Sequence, residues 1–392
     1  MEPLIGVINA GSSSLKFAFY EAERPIISGQ VDGLGARAAA HASGRNGEAL
    51  EPPNLGATPP ATSSEVLPIL LPWARKTLGG RPLAALGHRV VHGGIRHTEH
   101  ERVTPELLAE LEGLIPFAPL HQPHNLAAIR TAWALNPALP QVACFDTAFH
   151  RSVPEVAQAF ALPREFYDEG VRRYGFHGLS YEYIASVLPP EIADGRVVVA
   201  HLGSGASLCA LKSRVSIAST MGFTVLDGLP MGTRCGDLDP GVVLHLLRHK
   251  QMSVAAVEDL LYRRSGMLGL SCRSADFRDL VADRNPLAQF AIEVFCYQTV
   301  RHIGSLAGAL GGVDGIVFTA GVGENAAPVR EAICRRCRWL GLELDEAANR
   351  RHAPLISTTR SPVAAYVIRS DENAIIARHT RALCGLDKTD PS

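Results

Sequence analysis

Two stretches of the chain share one hydropathy pattern: an apolar run, a Gly/Ser-rich turn, then a second alternating run. The first is Ile5–Gly6–Val7–Ile8–Asn9–Ala10–Gly11–Ser12–Ser13–Ser14–Leu15–Lys16–Phe17–Ala18–Phe19, and the second is Val197–Val198–Val199–Ala200–His201–Leu202–Gly203–Ser204–Gly205–Ala206–Ser207–Leu208. Each predicts a β-hairpin whose tip carries small residues and hydroxyls, which lets backbone N–H groups approach an anion closely. Two such tips imply a phosphate held from both sides, the geometry of phosphoryl transfer on duplicated domains.

Elsewhere the pattern alternates between short buried strands and helical periodicity. Gln141–Val142–Ala143–Cys144–Phe145 reads as a buried strand ending at Asp146. Gly315–Ile316–Val317–Phe318–Thr319 is a second, running into Ala320–Gly321–Val322–Gly323–Glu324–Asn325 and a helix. A last strand, Ala364–Ile368, meets Ser370–Asp371–Glu372 at the start of a terminal helix. Helical periodicity starts at Leu107, passes the turn Pro116–Pro123 and resumes over Asn125–Trp133; two long helical stretches are predicted over Gly241–Arg264 and Asn285–Leu310. Gly33–Ser64 reads as weak edge strands and loop, and the Gly- and Met-dense Ser219–Pro240 as loop. This order suits two α/β domains with mixed sheets and a boundary near Thr147–Pro154.

Bulk composition narrows the partners. At 392 residues, with 46% hydrophobic and 20% charged residues, the chain is long enough for two cores. A net charge of -1 gives no footprint for nucleic acid or an anionic membrane, which favours a small-molecule substrate. The N-terminus runs into a strand without a charged leader, and no apolar run reaches membrane-spanning length, so a soluble cytoplasmic protein is expected. Eight scattered cysteines fit reduced thiols; Cys334-x-x-Cys337 lacks a second pair to complete a zinc site.

Several polar residues stand where chemistry is done. Lys16 follows the first tip and is either a solvated strand residue or, beside Asn9 and the serines Ser12, Ser13 and Ser14, a phosphate ligand. No G-x-x-x-x-G-K-[ST] loop opens a helix there. Arg89, in Gly87–His88–Arg89–Val90–Val91–His92–Gly93–Gly94, must find an acid partner among apolar neighbours, and it either grips a carboxylate or phosphate or makes a structural ion pair. Arg234, in Met231–Gly232–Thr233–Arg234–Cys235–Gly236–Asp237, sits on a Gly-flanked loop that favours anion binding. Asp146 is either a strand-end site residue or a cap. His177, in a Gly-bounded turn with two aromatics, can expose its ring to a ligand, and His121 occupies a similar rigid loop. His245 and His249 share a helix face without an intervening acid.

Together these segments resemble the acetate kinases, members of the acetate and sugar kinase, Hsp70 and actin superfamily. The matching stretches are Asn9–Lys16, Gly87–Gly94, Pro119–Asn125, Phe145–His150, Arg173–Tyr183, His201–Ser207, Ser219–Pro240, Ser274–Asp279, Phe318–Asn325 and Ser370–Thr380, in the family's order. The resemblance implies two duplicated actin-like ATPase domains with ribonuclease H-like cores and an active site in the cleft between them. It places the domains at 1–147 and 148–373, the second binding nucleotide and forming a homodimer, with a terminal helix over 374–392 packing back on the first.

It also implies reversible transfer of the γ-phosphoryl group of ATP to acetate, giving acetyl phosphate and ADP, with Mg²⁺ or Mn²⁺. Asn9 and Glu372 match the metal-associated residues, and Lys16, with Ser12 and Ser14, the nucleotide-phosphate segment. Arg89 matches the acyl-substrate arginine, with Val91, Leu120, His121, Phe176 and Val225 around the acid. Asp146 matches an essential catalytic acid, and His177 and Arg234 the transition-state stabilisers. His201–Leu202–Gly203–Ser204–Gly205, Asp276–Phe277–Arg278 and Gly321–Val322–Gly323–Glu324–Asn325 match the ATP-binding segments. Because a carboxylic acid is ionised at pH 7, Asp146 is expected to orient metal-bound water or Arg234 rather than abstract a proton. Two positions depart from the family: Ser204 replaces the usual Asn, and Val225 the usual Pro. A propionate or butyrate kinase, or an actin- or Hsp70-like ATP-driven switch, are the rival readings.

Overall fold

The computed structural model describes residues 2–35 and 37–387. The chain divides into two compact units, one running to Phe149 and taking in the segment from Asp371, the other His150–Ser370.

The first unit is built on an eight-stranded sheet in the order β5-β4-β3-β2-β1-β6-β8-β7. Its strands are β1 (Leu4–Ala10), β2 (Ser14–Glu21), β3 (Arg24–Asp32), β4 (Ala39–Gly44), β5 (Ala49–Leu50), β6 (Leu83–Val90), β7 (Glu101–Arg102) and β8 (Gln141–Phe145). β1 and β2 form the first hairpin, antiparallel with Asn9 opposite Lys16, whereas β1, β6 and β8 run parallel. All of β8 is buried, as a central parallel strand covered on both faces should be. Phe17, Phe19, Val66, Leu67, Leu70 and Ala128 pack one core cluster, and Val90, Leu108, Leu111, Ile129 and Phe145 a second. The helix Glu372–Leu383 lies against β1, β6 and β8. Its N-cap Asp371 accepts from Ala374 N. The predicted helix over 374–392 thus stops at Leu383, and positions 388–392 of it lie outside the described residues.

The second unit carries a five-stranded sheet in the order β11-β10-β9-β12-β13. These are β9 (Arg196–Leu202), β10 (Ala206–Lys212), β11 (Val215–Ser219), β12 (Gly315–Thr319) and β13 (Ala364–Val367). β9 and β10 are the second hairpin, and β12 runs parallel to both β9 and β13. The order repeats β3-β2-β1-β6-β8 strand for strand, with the same parallel and antiparallel senses. The helix Pro286–Leu310 packs on β9, β10 and β11; Asn285 caps its start by accepting from Leu287 N.

Two expectations are corrected here. The helical stretch expected over Gly241–Arg264 is two helices, Pro240–Arg248 and Val254–Arg263, because Gln251 turns left-handed (φ 52) and Ser253 starts a new helix by accepting from Ala256 N. The Ala320–Asn325 segment, expected to lie between a strand and a helix, is itself a helix, entered through a left-handed Ala320 (φ 63) whose N–H donates to Glu324 Oε1. Among the described residues, no helix is long and apolar enough to cross a membrane.

Candidate active site

In the first unit, parallel pairing brings the C-terminal ends of β6 and β8 level, with Arg89 opposite Cys144 and Val90 opposite Phe145. The next residue after β8 is Asp146, whose N–H donates to Val90 O at 3.0 Å. Arg89 grips its carboxylate in a fork, Nε to Oδ1 at 2.9 Å and Nη2 to Oδ2 at 2.6 Å. Asp146 is 1% exposed, so its charge depends on that partner. Burial works against the guanidinium charge, but Asp146 and Glu372 outweigh it and hold Arg89 still more firmly protonated. Arg89 Nη1 also reaches Asn9 Oδ1 at 3.4 Å, and Asn9 Nδ2 donates to Glu372 Oε2 at 3.2 Å. Sequence spacing left Arg89 between an ion pair and an anion ligand; the structure gives it a carboxylate partner and places Asn9 and Glu372 in the same hydrogen-bonded line.

The first tip is closed by Gly11 N donating to Ser14 O at 2.8 Å, and Ser63, starting the helix Ser63–Thr77, donates to Gly11 O. Ser12 is exposed, Ser14 half-buried, and Lys16 lies exposed between buried Leu15 and Phe17. Val91 is buried; Leu120 and His121 are half-buried, His121 preceding the helix Gln122–Leu135. Two buried amides of that helix escaped sequence reasoning. Gln122 holds the backbone N–H and C=O of His92, while Asn125 accepts from Val91 N and donates to Ala10 O at 2.7 Å. They tie the turn after β6 to the end of β1, and the only trace in the chain is two amides at helical positions among apolar residues.

In the second unit the tip Gly203–Ser204–Gly205 closes through Gly203 N donating to Gly205 O at 3.1 Å. A Cβ on Gly205 would stand 2.8 Å from Arg234 Nη2 and 3.3 Å from His177 Nε2. A guanidinium and an imidazole therefore converge over a residue with no side chain of its own. Arg234 is aimed by its Nη1 donating to Val225 O at 2.8 Å, and its loop is pinned by Met231 N to Arg234 O and Ser265 N to Thr233 O. Gly266 (φ 59) lets the next helix press on that loop, since a Cβ there would meet Met231 O at 2.1 Å. Phe176 and Val225 are buried beside these segments of the same unit.

His177 sits in a left-handed turn (φ 58) ahead of the helix Gly178–Val187. Its Nδ1 meets Ser207 Oγ at 2.8 Å, and its ring stacks on His201 with centroids 4.2 Å apart and planes 14° from parallel. His201 is buried, with Nδ1 on Ser180 Oγ at 2.8 Å.

A cavity of about 820 Å³ opens beside this tip, lined by Gly203 and Ser204, by Asp276, Phe277 and Arg278, and by the helix carrying Gly321, Val322 and Asn325. Its size suits a nucleotide-sized ligand. Asp276 caps the helix Phe277–Ala282 by accepting from Arg278 N, and the exposed Arg278 guanidinium returns to the same carboxylate at 2.6 Å, holding it below the usual carboxylate range. Leu202 points into the core, Gly323 is buried, and Glu324 binds the N–H groups of Ala320 and Ser370 at 3.0 and 3.2 Å. These three shape the cavity wall from behind.

The remaining sequence candidates have structural roles. Cys334 and Cys337 are free, buried thiols whose pKa burial raises, that of Cys337 to about 12. His245 and His249 approach within 5.3 Å, but no third metal-ligating side chain joins them among the described residues.

A mixed sheet of one strand order in both units, with a Gly/Ser tip on a nucleotide-sized cavity, defines the actin-like ATPase class of α/β fold. The acetokinase family model matches residues 4–378, and the chain belongs to that family. It is 51% identical to the acetate kinase of Rhodopseudomonas palustris (strain ATCC BAA-98 / CGA009) over 392 residues, covering 97% of this chain and 98% of that one. Its fold is similar to a crystal structure of Porphyromonas gingivalis acetate kinase, at a TM-score of 0.84 and 34% identity over 97% of this chain and 99% of the other. A propionate kinase from Francisella tularensis is similar at a TM-score of 0.89 and 32% identity, over 97% of this chain and 100% of that chain.

Proposed function

We propose that the protein catalyses reversible transfer of the γ-phosphoryl group of ATP to acetate, giving acetyl phosphate and ADP. The observation that carries this reading is the convergence of Arg234 and His177 over Gly205, on the tip whose Gly203 and Ser204 line a cavity of about 820 Å³. Acetate as acceptor is supported by the names of relatives about half identical over nearly the whole chain.

The chemistry asks for positive charge rather than for a base. Simple carboxylic acids titrate near Asp and Glu, at roughly pH 4, so at neutral pH the attacking oxygen is already ionised. The barrier is the approach of one anion to another. Arg234 and His177 supply fixed donors for the equatorial oxygens of the moving phosphoryl group. Arg89 grips the acyl carboxylate, and Lys16 meets the nucleotide phosphates. Asp146, locked in a fork with Arg89, keeps that guanidinium aimed and carries no proton in the reaction.

Glu372 offers a carboxylate oxygen, oriented by Asn9 Nδ2 donating to its Oε2, a hard donor that would suit a Mg²⁺ ion retaining several waters. Once bound, the ion would neutralise phosphate charge. Exposed Val242, Leu244, Val254, Leu287, Phe290 and Tyr297 on the second unit support a homodimer formed there. Eight free thiols suit a reducing compartment, the cytoplasm.

The test is trapping of acyl phosphate as hydroxamate, with acetate, propionate and butyrate compared by kcat/KM and Mg²⁺ omitted in one arm. Acetate- and Mg²⁺-dependent hydroxamate is expected. Propionate or butyrate ahead of acetate would move the substrate within the family, and ATP hydrolysis with no hydroxamate from any acid would overturn the reading.

A further inference from the structure

Behind His177 three polar groups stand in line. The Tyr181 hydroxyl lies 2.5 Å from Ser207 Oγ, and Ser207 Oγ lies 2.8 Å from His177 Nδ1. Both Tyr181 and Ser207 are fully buried. Burial holds the phenol pKa well above its ordinary value, so Tyr181 keeps its proton. Among the described residues, Ser207 is the sole hydrogen-bond partner of that hydroxyl.

Two hydrogen bonds among these three groups can run three ways, and when the phenol and Nδ1–H both donate to Ser207 its own proton is left without an acceptor among the described residues. From Tyr181 to Ser207 to Nδ1, each hydroxyl proton finds an acceptor, and the neutral imidazole carries its own proton on Nε2. In the reverse direction Nδ1–H donates to Ser207, Ser207 donates to Tyr181, and the phenol proton is left buried without an acceptor. An unmet buried donor costs more than a typical hydrogen bond returns, so the first direction prevails. The stacked ring of His201 at 4.2 Å acts in the same sense, because protonating both rings would set two like charges face to face. Arg234 Nη2, also beside Gly205, adds a third positive group to that count.

We propose that Ser207, itself held by Tyr181, is a positioning residue that fixes His177 in its Nε2–H tautomer, so that a neutral imidazole presents a hydrogen-bond donor, next to the Arg234 guanidinium, to a phosphoryl oxygen at the hairpin tip. The donor's target rests on the function proposed above; the tautomer itself does not. With Nδ1 held as acceptor, the ring has no freedom to present a lone pair to an anion, which would repel it.

Full-length protein labelled with ¹⁵N-histidine tests this, with the His177 resonances assigned by their loss in His177→Asn. At neutral pH the wild type should show a protonated Nε2 and a bare Nδ1. Ser207→Ala should populate the second tautomer, whereas Tyr181→Phe should keep the first, because the Ser207 proton still has only Nδ1 to meet. Ser207→Ala should lower kcat by roughly tenfold, a partial loss of one preorganised donor, while KM for acetate and ATP stays within about twofold. If Ser207→Ala does not fold, the wild-type and Tyr181→Phe tautomers still decide. A wild-type His177 protonated on Nδ1, or a shift to Nδ1–H in the Tyr181→Phe variant, overturns the inference. Wild type with the expected tautomer and no acyl phosphate overturns the function and the donor's target together.

Discussion

At the tip joining β1 to β2, the neighbouring polar groups satisfy one another: Arg89 is forked on Asp146, and Asn9 links Arg89 to Glu372. At the tip joining β9 to β10, by contrast, Arg234 and His177 lean over a bare glycine, and Ser204 and Gly203 border open space. The strands on either side follow one order and one set of senses, so the fold itself does not make the difference. The first tip's charges hold a carboxylate and a guanidinium in place; the second gathers a guanidinium and an imidazole over its glycine, beside a cavity. In the proposed reaction the first therefore selects and steadies the acid, and the second stabilises the phosphoryl group in flight.

Removing Arg89 should break this contrast most severely. Arg89→Ala removes the fork of hydrogen bonds from the buried Asp146 carboxylate, which should lower stability by about 1–3 kcal/mol. Among molecules that remain folded, KM for acetate should rise far more than kcat falls. Urea unfolding and steady-state kinetics read both, and an unchanged KM would remove Arg89 from the acid site. Arg234→Ala should act the other way. There kcat should fall by a hundredfold or more, roughly the range for one lost preorganised donor, with a far smaller change in KM for acetate. Gly205→Ala sharpens the point: its methyl meets the far end of a flexible guanidinium at 2.8 Å, so kcat should fall, by less than on deleting Arg234. Near wild-type turnover in Arg234→Ala would end its assignment.

Period-two alternation made both hairpins legible, and the Gly-bounded loops marked Arg234 and His177 as polar groups on turns, where both prove half-buried. What stayed hidden depended on contacts between distant segments. The sequence shows that Arg89 needs an acid, but only the parallel register of β6 and β8 brings Asp146 to it. The repeated strand order rests on β1 pairing with β6, and β9 with β12, across long intervening segments that carry no local signature. No Gly or Pro interrupts 249–253, and the left-handed Gln251 that breaks the helix is not a residue type that announces a break. Ser207 and Tyr181 read as one strand residue and one helix residue until their hydroxyls meet at 2.5 Å.

The smallest effect is expected at Ser204, where acetate kinases usually carry Asn. Its backbone is already committed, since its carbonyl accepts from Gly232 N at 3.1 Å, so a substitution changes the exposed side chain and leaves the tip's course alone. Ser204→Asn adds an amide donor longer than the hydroxyl it replaces, at the rim of the cavity of about 820 Å³. One new hydrogen bond to a phosphate oxygen is worth about 1 kcal/mol net, which lowers KM for ATP roughly fivefold and leaves kcat and KM for acetate nearly unmoved. The second tip would then hold its nucleotide more tightly without gaining any grip on the acid, which keeps the two tips' tasks separate. A KM for ATP that stays level or rises would mean that the side chain at 204 does not face the phosphates, and the nucleotide would have to be turned within its cavity.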